Sequence, residues 1–235
     1  MASTQNSDLV HEDRVQKALE KMKTELDRLD PNAKTTDKTG WQERKSASTR
    51  LALLNATMNC LAEFGYANTT TQLVAATAQI SRGAMLHHYN SKSELISATI
   101  DFIMYQRMEN FYSQIAKLTK KQRVDQGQGV EIFWNSMSEP QFEAYLELSV
   151  ASRTDMELDK VFTKGARAFD QFCFDRTTEF FPEWDDQTLE KQWLAQDIIA
   201  CALEGLFLRK SIMNTRTRRI AVRDYIKQMV RLLRT

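Results

Sequence analysis

Between Thr70 and Leu95 the chain reads TTQLVAATAQISRGAMLHHYNSKSEL, two short apolar periodicities joined by a link too brief for anything but a tight turn. Val74, Ala75 and Ala78 fall on one helical face, Ile80 sits in the link, and Met85 and Tyr89 repeat at helical spacing beyond it. Helices this short do not persist alone, so the two must share one small core. Thr70 is the expected N-cap of the first helix and Ser81 of the second, which then opens with Arg82, Gly83 and Ala84. A helix-turn-helix is spelled this way, its second helix turning a small-residue first turn and an arginine outward.

The flanking segments extend the pattern. Arg50 to Tyr66, RLALLNATMNCLAEFGY, carries an apolar stripe at Leu54, Met58, Leu61 and Phe64, with Gly65 expected to end the helix. Ser91 and Glu94 form a capping-box pair, after which Ile96, Ile100, Ile103, Met104, Met108, Phe111, Ile115 and Leu118 predict one long helix. Only seven glycines and three prolines interrupt the 235 residues, and helix-favouring residues recur in long runs, so the expected fold class is all-α.

From about Arg44 to Phe102 the ordered set of these landmarks resembles the N-terminal domain of the TetR (tetracycline repressor) family of transcriptional regulators. The resemblance implies an N-terminal three-helix helix-turn-helix domain followed by a C-terminal helical ligand-binding and dimerisation domain. We accordingly expect three segments: an N-terminal extension with a short amphipathic helix and linker (1–43), a DNA-binding domain (44–102), and a ligand-binding and dimerisation domain (103–235). Double-stranded DNA with a palindromic operator is the implied partner. Thr70, Ser81, His88 and Lys92 are expected at phosphates, and Gln72, Arg82, Gly83, Ala84 and His87 at base edges. Arg44 and Lys45 are further candidates for phosphates or the minor groove. Gln79 stands where the family usually has glycine, which predicts a left-handed residue in the turn, and Leu86 stands where a phosphate-contacting tyrosine is common.

Ahead of this region Val15, Leu19, Met22, Leu26 and Leu29 form barely two heptads, too few for an independent coiled coil and expected to dock on the body or on a second subunit. Pro31 to Gly40, PNAKTTDKTG, reads as a polar linker. Beyond a polar break at Thr119 to Gly129, helices are expected over Val130 to Met137, Pro140 to Arg153, and Leu158 to Phe181, closed by Pro182. Their aromatics could be plain core. The resemblance favours a ligand site, with Phe111, Phe133, Trp134, Phe142, Tyr145, Phe169 and Phe172 as its residues and a small apolar or amphipathic effector. Arg153 or Glu147 is a candidate polar anchor, a structural salt bridge or helix-end contact being the alternative role.

Asp186 to Asn214 contains IIACALEGLFL, apolar around most of its circumference, and Arg218 to Arg234 adds a second stripe. These resemble the paired helices through which the family dimerises, with Leu203, Gly205, Leu206, Ile226 and Met229 as expected homodimer contacts. The same C-terminal stretch is strongly basic, a rival DNA site unless its cations serve an ordinary charged outer face. The net charge of +1 decides nothing between these.

No nucleophile elbow, glycine-rich phosphate loop or histidine pair at metal spacing occurs, so neither catalytic residues, metal ligands nor a cofactor are expected. Cys60, Cys173 and Cys201 sit in apolar helical patterns and are expected as buried free thiols in a reducing cytoplasm. The N-terminus lacks a signal-peptide pattern and no run is long and apolar enough for a membrane span. The expected function is a sequence-specific DNA-binding regulator, a repressor released by its ligand. The alternative is a helical ligand-binding or adaptor protein with weakened DNA binding.

Overall fold

A computed structural model describes residues 2–29, 41–125, 127–180, 189–213 and 215–233. Every regular element within them is a helix: α1 (Ala2–Leu29), α2 (Trp41–Asn68), α3 (Thr71–Thr77), α4 (Arg82–His88), α5 (Lys92–Ile115), α6 (Lys120–Val124), α7 (Gln128–Ser136), α8 (Pro140–Ser152), α9 (Met156–Phe180), α10 (Leu189–Leu208) and α11 (Arg216–Leu233). The linker expected over 31–40, Pro182, and the helix limits expected at Asp186, Asn214 and Arg234 lie outside the described residues. Two compact units interleave along the chain. A helix-turn-helix unit comprises Glu25–Glu109 and Ser138–Asp170, and a terminal unit comprises Met1–Thr24, Asn110–Met137 and Gln171–Thr235.

In the helix-turn-helix unit, α2 buries Leu53, Leu54, Met58 and Leu61. It begins nine residues before the expected Arg50, and its stripe stops short of Phe64, which is 42% exposed. The reason lies one residue on: Gly65 adopts φ 79°, ψ 167°, a region essentially closed to side-chain-bearing residues, and breaks the helix where expected. Thr70 and Ser81 cap α3 and α4 as anticipated, their hydroxyls accepting from Leu73 N and Ala84 N, each at 3.2 Å. Between them Gln79 stands at φ 56°, with Ile80 N donating to Ala75 O (2.9 Å) and Gln79 N to Ala76 O (3.1 Å). This pair of bonds is a Schellman motif, and it holds glutamine in the left-handed region at a cost of about 1–2 kcal/mol. Val74, Ala75, Met85 and Tyr89 form the buried seam of the two short helices.

At the start of α5, Ser91 Oγ accepts from Glu94 N at 3.1 Å. The reciprocal half of the expected capping box is displaced by one residue, since Glu94 accepts from Asn90 N (2.9 Å) instead of the N-cap amide. The helix α8 packs lengthwise on α2. Gly165 brings α9 close to α5, where a Cβ would lie 3.2 Å from Ile100 Cγ2 and 3.3 Å from Met104 Cγ.

In the terminal unit α1 buries Val15, Ala18 and Met22, and Lys21 Nζ donates to Glu179 at 2.6 Å, so the seam docks on its own chain. The polar break expected over 119–129 contains α6, started by a full capping box between Thr119 and Gln122. The three helices α7, α10 and α11 pack on one another. Arg223 and Lys227 of α11 pair with Glu131 of α7, and Arg231 donates to both oxygens of Asp125 at 2.9 and 3.0 Å. Arg219 donates to the carbonyl of Met213 at 2.8 Å. Much of the basic C-terminal charge is therefore committed to internal contacts. The hydrogen bond from Arg231 holds the Asp125 carboxyl below the usual carboxylate range. Cys60 and Cys173 are buried, whereas Cys201, expected inside, is exposed on the outer face of α10. Among the described residues no helix is long and apolar enough to cross a membrane.

Candidate nucleic-acid interface

Met85 at 0% exposure and Tyr89 fix α4 to the core through one face only. On the other, Ser81, Arg82, Gly83, Ala84 and His87 are all exposed, and so are Thr70 and Gln72 at the start of α3. The helix-turn-helix unit thus exposes seven of the expected DNA-facing residues, six at two adjacent helix N-termini and His87 in the last turn of α4. At Gly83 an added Cβ would meet nothing within 4 Å, so the first turn of α4 is bare backbone and can approach a surface closely. The capping hydroxyls of Thr70 and Ser81 use a lone pair on the backbone and keep their O–H free to donate, as a phosphate oxygen requires. Leu86 is 38% exposed on the same helix and offers an apolar contact in place of a hydroxyl.

His88 is only partly exposed. Burial, then the charges of Arg50 and His87, push its imidazole below the ordinary histidine value, so it is neutral at pH 7. Arg50, on α2, thereby joins the positive surface; the sequence pattern marked it only as the beginning of a helix. Arg44 and Lys45 are exposed on the first turns of α2, with Arg44 about 9 Å of helix ahead of Arg50.

Lys92, expected at a phosphate, is engaged within the unit. Its ammonium donates to the Tyr66 carbonyl at 3.0 Å and lies 4.6 Å from the Tyr66 ring centre, and burial lowers its pKa. Tyr66 is held on two further sides: its N–H donates to Glu147 of α8 at 2.7 Å, and its hydroxyl donates to Asp155, the residue before α9, at 3.1 Å. Asp155 accepts in turn from Leu158 N at 3.0 Å and Glu157 N at 3.1 Å, and these bonds with the Tyr66 hydroxyl keep its carboxyl below the ordinary range. Glu147 is thus a helix-end contact, the second of the two roles its sequence position allows, and Arg153 is exposed at the end of α8.

Of the aromatics expected around a ligand, Phe142, Tyr145 and Phe169 converge in the helix-turn-helix unit on a residue the sequence did not single out, Arg107 of α5. Its guanidinium carbon lies 3.7 Å from the Tyr145 ring centre, 3.9 Å from that of Phe169 and 5.9 Å from that of Phe142. Phe111, Phe133, Trp134 and Phe172 belong to the terminal unit, where Arg223 stacks over Trp134 and Arg176 over Phe172. Of the expected dimer contacts, Leu203, Leu206 and Ile226 are buried inside the chain, while Gly205 and Met229 are half-buried. The exposed large apolar residues on the same helices are Leu194, Leu208, Ile220, Val222, Tyr225 and Leu232.

Residues 53–99 match the tetR family of bacterial regulatory proteins. The HTH-type transcriptional regulator CymR of Pseudomonas putida is 32% identical over 117 residues, which cover 50% of this chain and 57% of that protein. The chain therefore spans little more than half the length of the curated relatives it matches. Among solved structures, a TetR transcription regulator from Haloarcula marismortui superposes with a TM-score of 0.57 at 17% identity, covering 79% of this chain and 98% of the other. The multidrug binding protein EbrR, complexed with imidazole, does so with a TM-score of 0.51 at 15% identity, covering 76% and 93%. The segment that matches the tetR family of bacterial regulatory proteins holds the capped helix pair just described, and the fold agrees with that of the Haloarcula marismortui regulator over most of the chain.

Proposed function

We propose that the chain is a sequence-specific DNA-binding regulator that acts in the cytoplasm as a homodimer, represses transcription, and leaves its operator when a small molecule binds. The observation that carries this reading is the one-sided burial of α4, in which Met85 and Tyr89 anchor the helix while Arg82, Gly83, Ala84 and His87 stay clear of the protein. Arg82 and His87 supply hydrogen bonds to base edges, and Gly83 and Ala84 supply close approach and contact with thymine methyls. Thr70, Ser81, His88 and Lys92 set the register on phosphates, with Arg44 and Lys45 extending the contact. The segmentation into 1–43, 44–102 and 103–235 describes these roles.

Dimerisation is supported by two apolar stripes at the surface. Leu194, Ile198, Cys201, Gly205 and Leu208 follow one another along α10 at spacings of four and three, and Val222, Tyr225, Met229 and Leu232 do so along α11. Leu208 is 61% exposed and Tyr225 63%, large areas for such side chains to leave in water. Beside Gly205 a Cβ would meet nothing within 4 Å, leaving room for a second helix to approach. A two-fold pairing there presents two α4 helices to one palindromic site. Release by effector is supported by the position of α8, which carries Phe142 and Tyr145 against Arg107 and Glu147 on the amide of Tyr66. EbrR, of the same fold, is a multidrug binding protein.

The test is selection of bound duplexes from a random DNA library, followed by anisotropy titration at about 150 mM salt. An inverted repeat bound at nanomolar Kd is expected. Failure to enrich any sequence, with only salt-sensitive micromolar binding, favours the ligand-binding or adaptor reading.

A further inference from the structure

Arg107 is 8% exposed, and its Nη1 is enclosed with no hydrogen-bond partner. Among the described residues no carboxylate pairs with it; its neighbours are the ring faces of Tyr145, Phe169 and Phe142. The turn of α5 just before it, with Ile100, Ile103 and Met104, is buried and apolar. Folded proteins rarely bury a cation this way. An arginine carries its charge at physiological pH, so burial is ordinarily accompanied by a carboxylate or by hydrogen bonds to every N–H. Ring faces offset part of the desolvation through the cation–π interaction, but they accept none of the in-plane N–H donors that form the guanidinium fork. The buried Arg176 shows the usual solution, with its guanidinium paired to Glu179. Arg107 lacks it, and three helices converge on the spot where it is lacking.

We propose that the missing partner is supplied from outside: Arg107 is the recognition residue for an effector bearing a carboxylate, whose apolar body lies against Phe142, Tyr145 and Phe169. The inference rests on the effector-controlled reading given above and adds the chemical class of the effector. A carboxylate matches the guanidinium fork with two parallel hydrogen bonds, and the rings that flank the fork match a flat or aliphatic hydrocarbon. Neutral and cationic hydrocarbons of the same shape leave the Arg107 donors unsatisfied and are disfavoured for that reason. Discrimination therefore comes from the charge, with size and shape of the body secondary.

The experiment pairs acids with their neutral amides. Benzoate, phenylacetate, octanoate and decanoate, the four corresponding amides, and inorganic phosphate are titrated into the full chain by calorimetry and thermal shift without DNA. At least one acid is expected to bind at least 30-fold more tightly than its amide. In Arg107→Gln that acid should lose about 100-fold in affinity while its amide changes less than threefold, and Arg107→Lys should recover only part of the loss because the ammonium has no fork. Circular dichroism verifies that the variants fold, and the acid-to-amide ratio in the unmodified chain tests the proposal without any variant. Equal binding of acid and amide, binding by phosphate as tight as by any acid, or no binding by any acid at millimolar concentration overturns the proposal. Release of DNA is scored separately on the selected duplex. An acid that binds through Arg107 and leaves the DNA complex intact refutes effector control and keeps the anion site, whereas an amide that releases DNA as well as its acid does the reverse.

Discussion

Substitution of Gly65 by alanine tests how the end of α2 is built. Two separate costs meet at this residue. Its φ of 79° with ψ of 167° is a region that residues with a Cβ occupy at a cost of about 1–3 kcal/mol. The added Cβ would also lie 3.0 Å from Glu147 Oε1, the atom that accepts from Tyr66 N at 2.7 Å. The carboxylate is the free end of a flexible side chain, so it swings away from the methyl group and loses the hydrogen bond. A charge-assisted bond is worth about 1.5–3 kcal/mol, and the lower end applies to this half-buried pair. Against these stands a gain of about 0.4–1 kcal/mol, because alanine restricts the unfolded chain. The net expectation is destabilisation by about 3 kcal/mol, seen as a fall in Tm of about 6–12 °C for a chain of this size.

A double-mutant cycle separates the two costs. In a Glu147→Ala background the hydrogen bond is already gone and the clash has no partner, so Gly65→Ala there should cost only the backbone strain, about 1–3 kcal/mol before the unfolded-state gain. Urea titrations of the four proteins give the coupling energy directly. If Gly65→Ala lay within about 0.5 kcal/mol of the parent, or if the two substitutions were additive, the account of this junction would be wrong.

Arg82→Ala should weaken operator binding by about 1–3 kcal/mol and relax preference at one base pair, read by anisotropy against a panel of single-site operator variants. An unaltered preference would remove Arg82 from base contact. His88 sets a pH dependence of known sign: its folded pKa is depressed, so the free protein resists protonation, while a phosphate beside it favours the imidazolium. Binding then takes up a proton, and affinity should rise as pH falls from about 7.5 to 6. The trend should flatten in His88→Gln; if the variant kept it, another group would be responsible. Gly205→Glu and Leu208→Glu each put a charge into the exposed α10 stripe, and sedimentation should show monomers where the parent is dimeric at micromolar concentration, with DNA affinity falling in step. A dimer undisturbed by either charge would move the interface elsewhere.

The parts legible in the sequence were those governed by local rules. Thr70 and Ser81 cap because a short hydroxyl side chain reaches its own helix two or three residues on, and nothing distant enters that choice. Gly65 ends its helix for the same local reason, and the family resemblance put a left-handed residue at Gln79. The Thr119–Gln122 capping box was equally local and its spelling was present; the surrounding charges made the stretch read as a break. Burial on α10 was harder. Its apolar residues run nearly all round the helix, so periodicity alone could not say that Leu203 and Leu206 face inward while Leu194 and Leu208 face out. Arg107 was out of reach entirely. An arginine in a long helix reads as a solvated charge, and only α8 and α9, arriving from 35 or more residues downstream, turn it into a buried one.

Those helices also make a physical link between the two sites. Tyr145 and Glu147 stand two residues apart in α8, about 200° around its axis, and so face nearly opposite sides of one rigid element. Tyr145 lies against Arg107 of α5, and Glu147 holds the amide of Tyr66 at the end of α2. Tyr66 in turn carries Lys92 on its carbonyl and ring, at the first residue of the helix that follows α4. A helix of 13 residues cannot move one of these faces without the other. A group inserted between Arg107 and the Tyr145 ring therefore displaces Glu147 relative to α2, or strains the 2.7 Å bond to Tyr66, and either change reaches Tyr66 and Lys92, the latter proposed above as a phosphate contact. Coupling of this kind has effect only if the bound group prefers one arrangement of α8 over another, since equal affinity for both shifts no population. The unpaired cation supplies that preference, because its interaction with an anion is strong only where the rings and the guanidinium open to admit it.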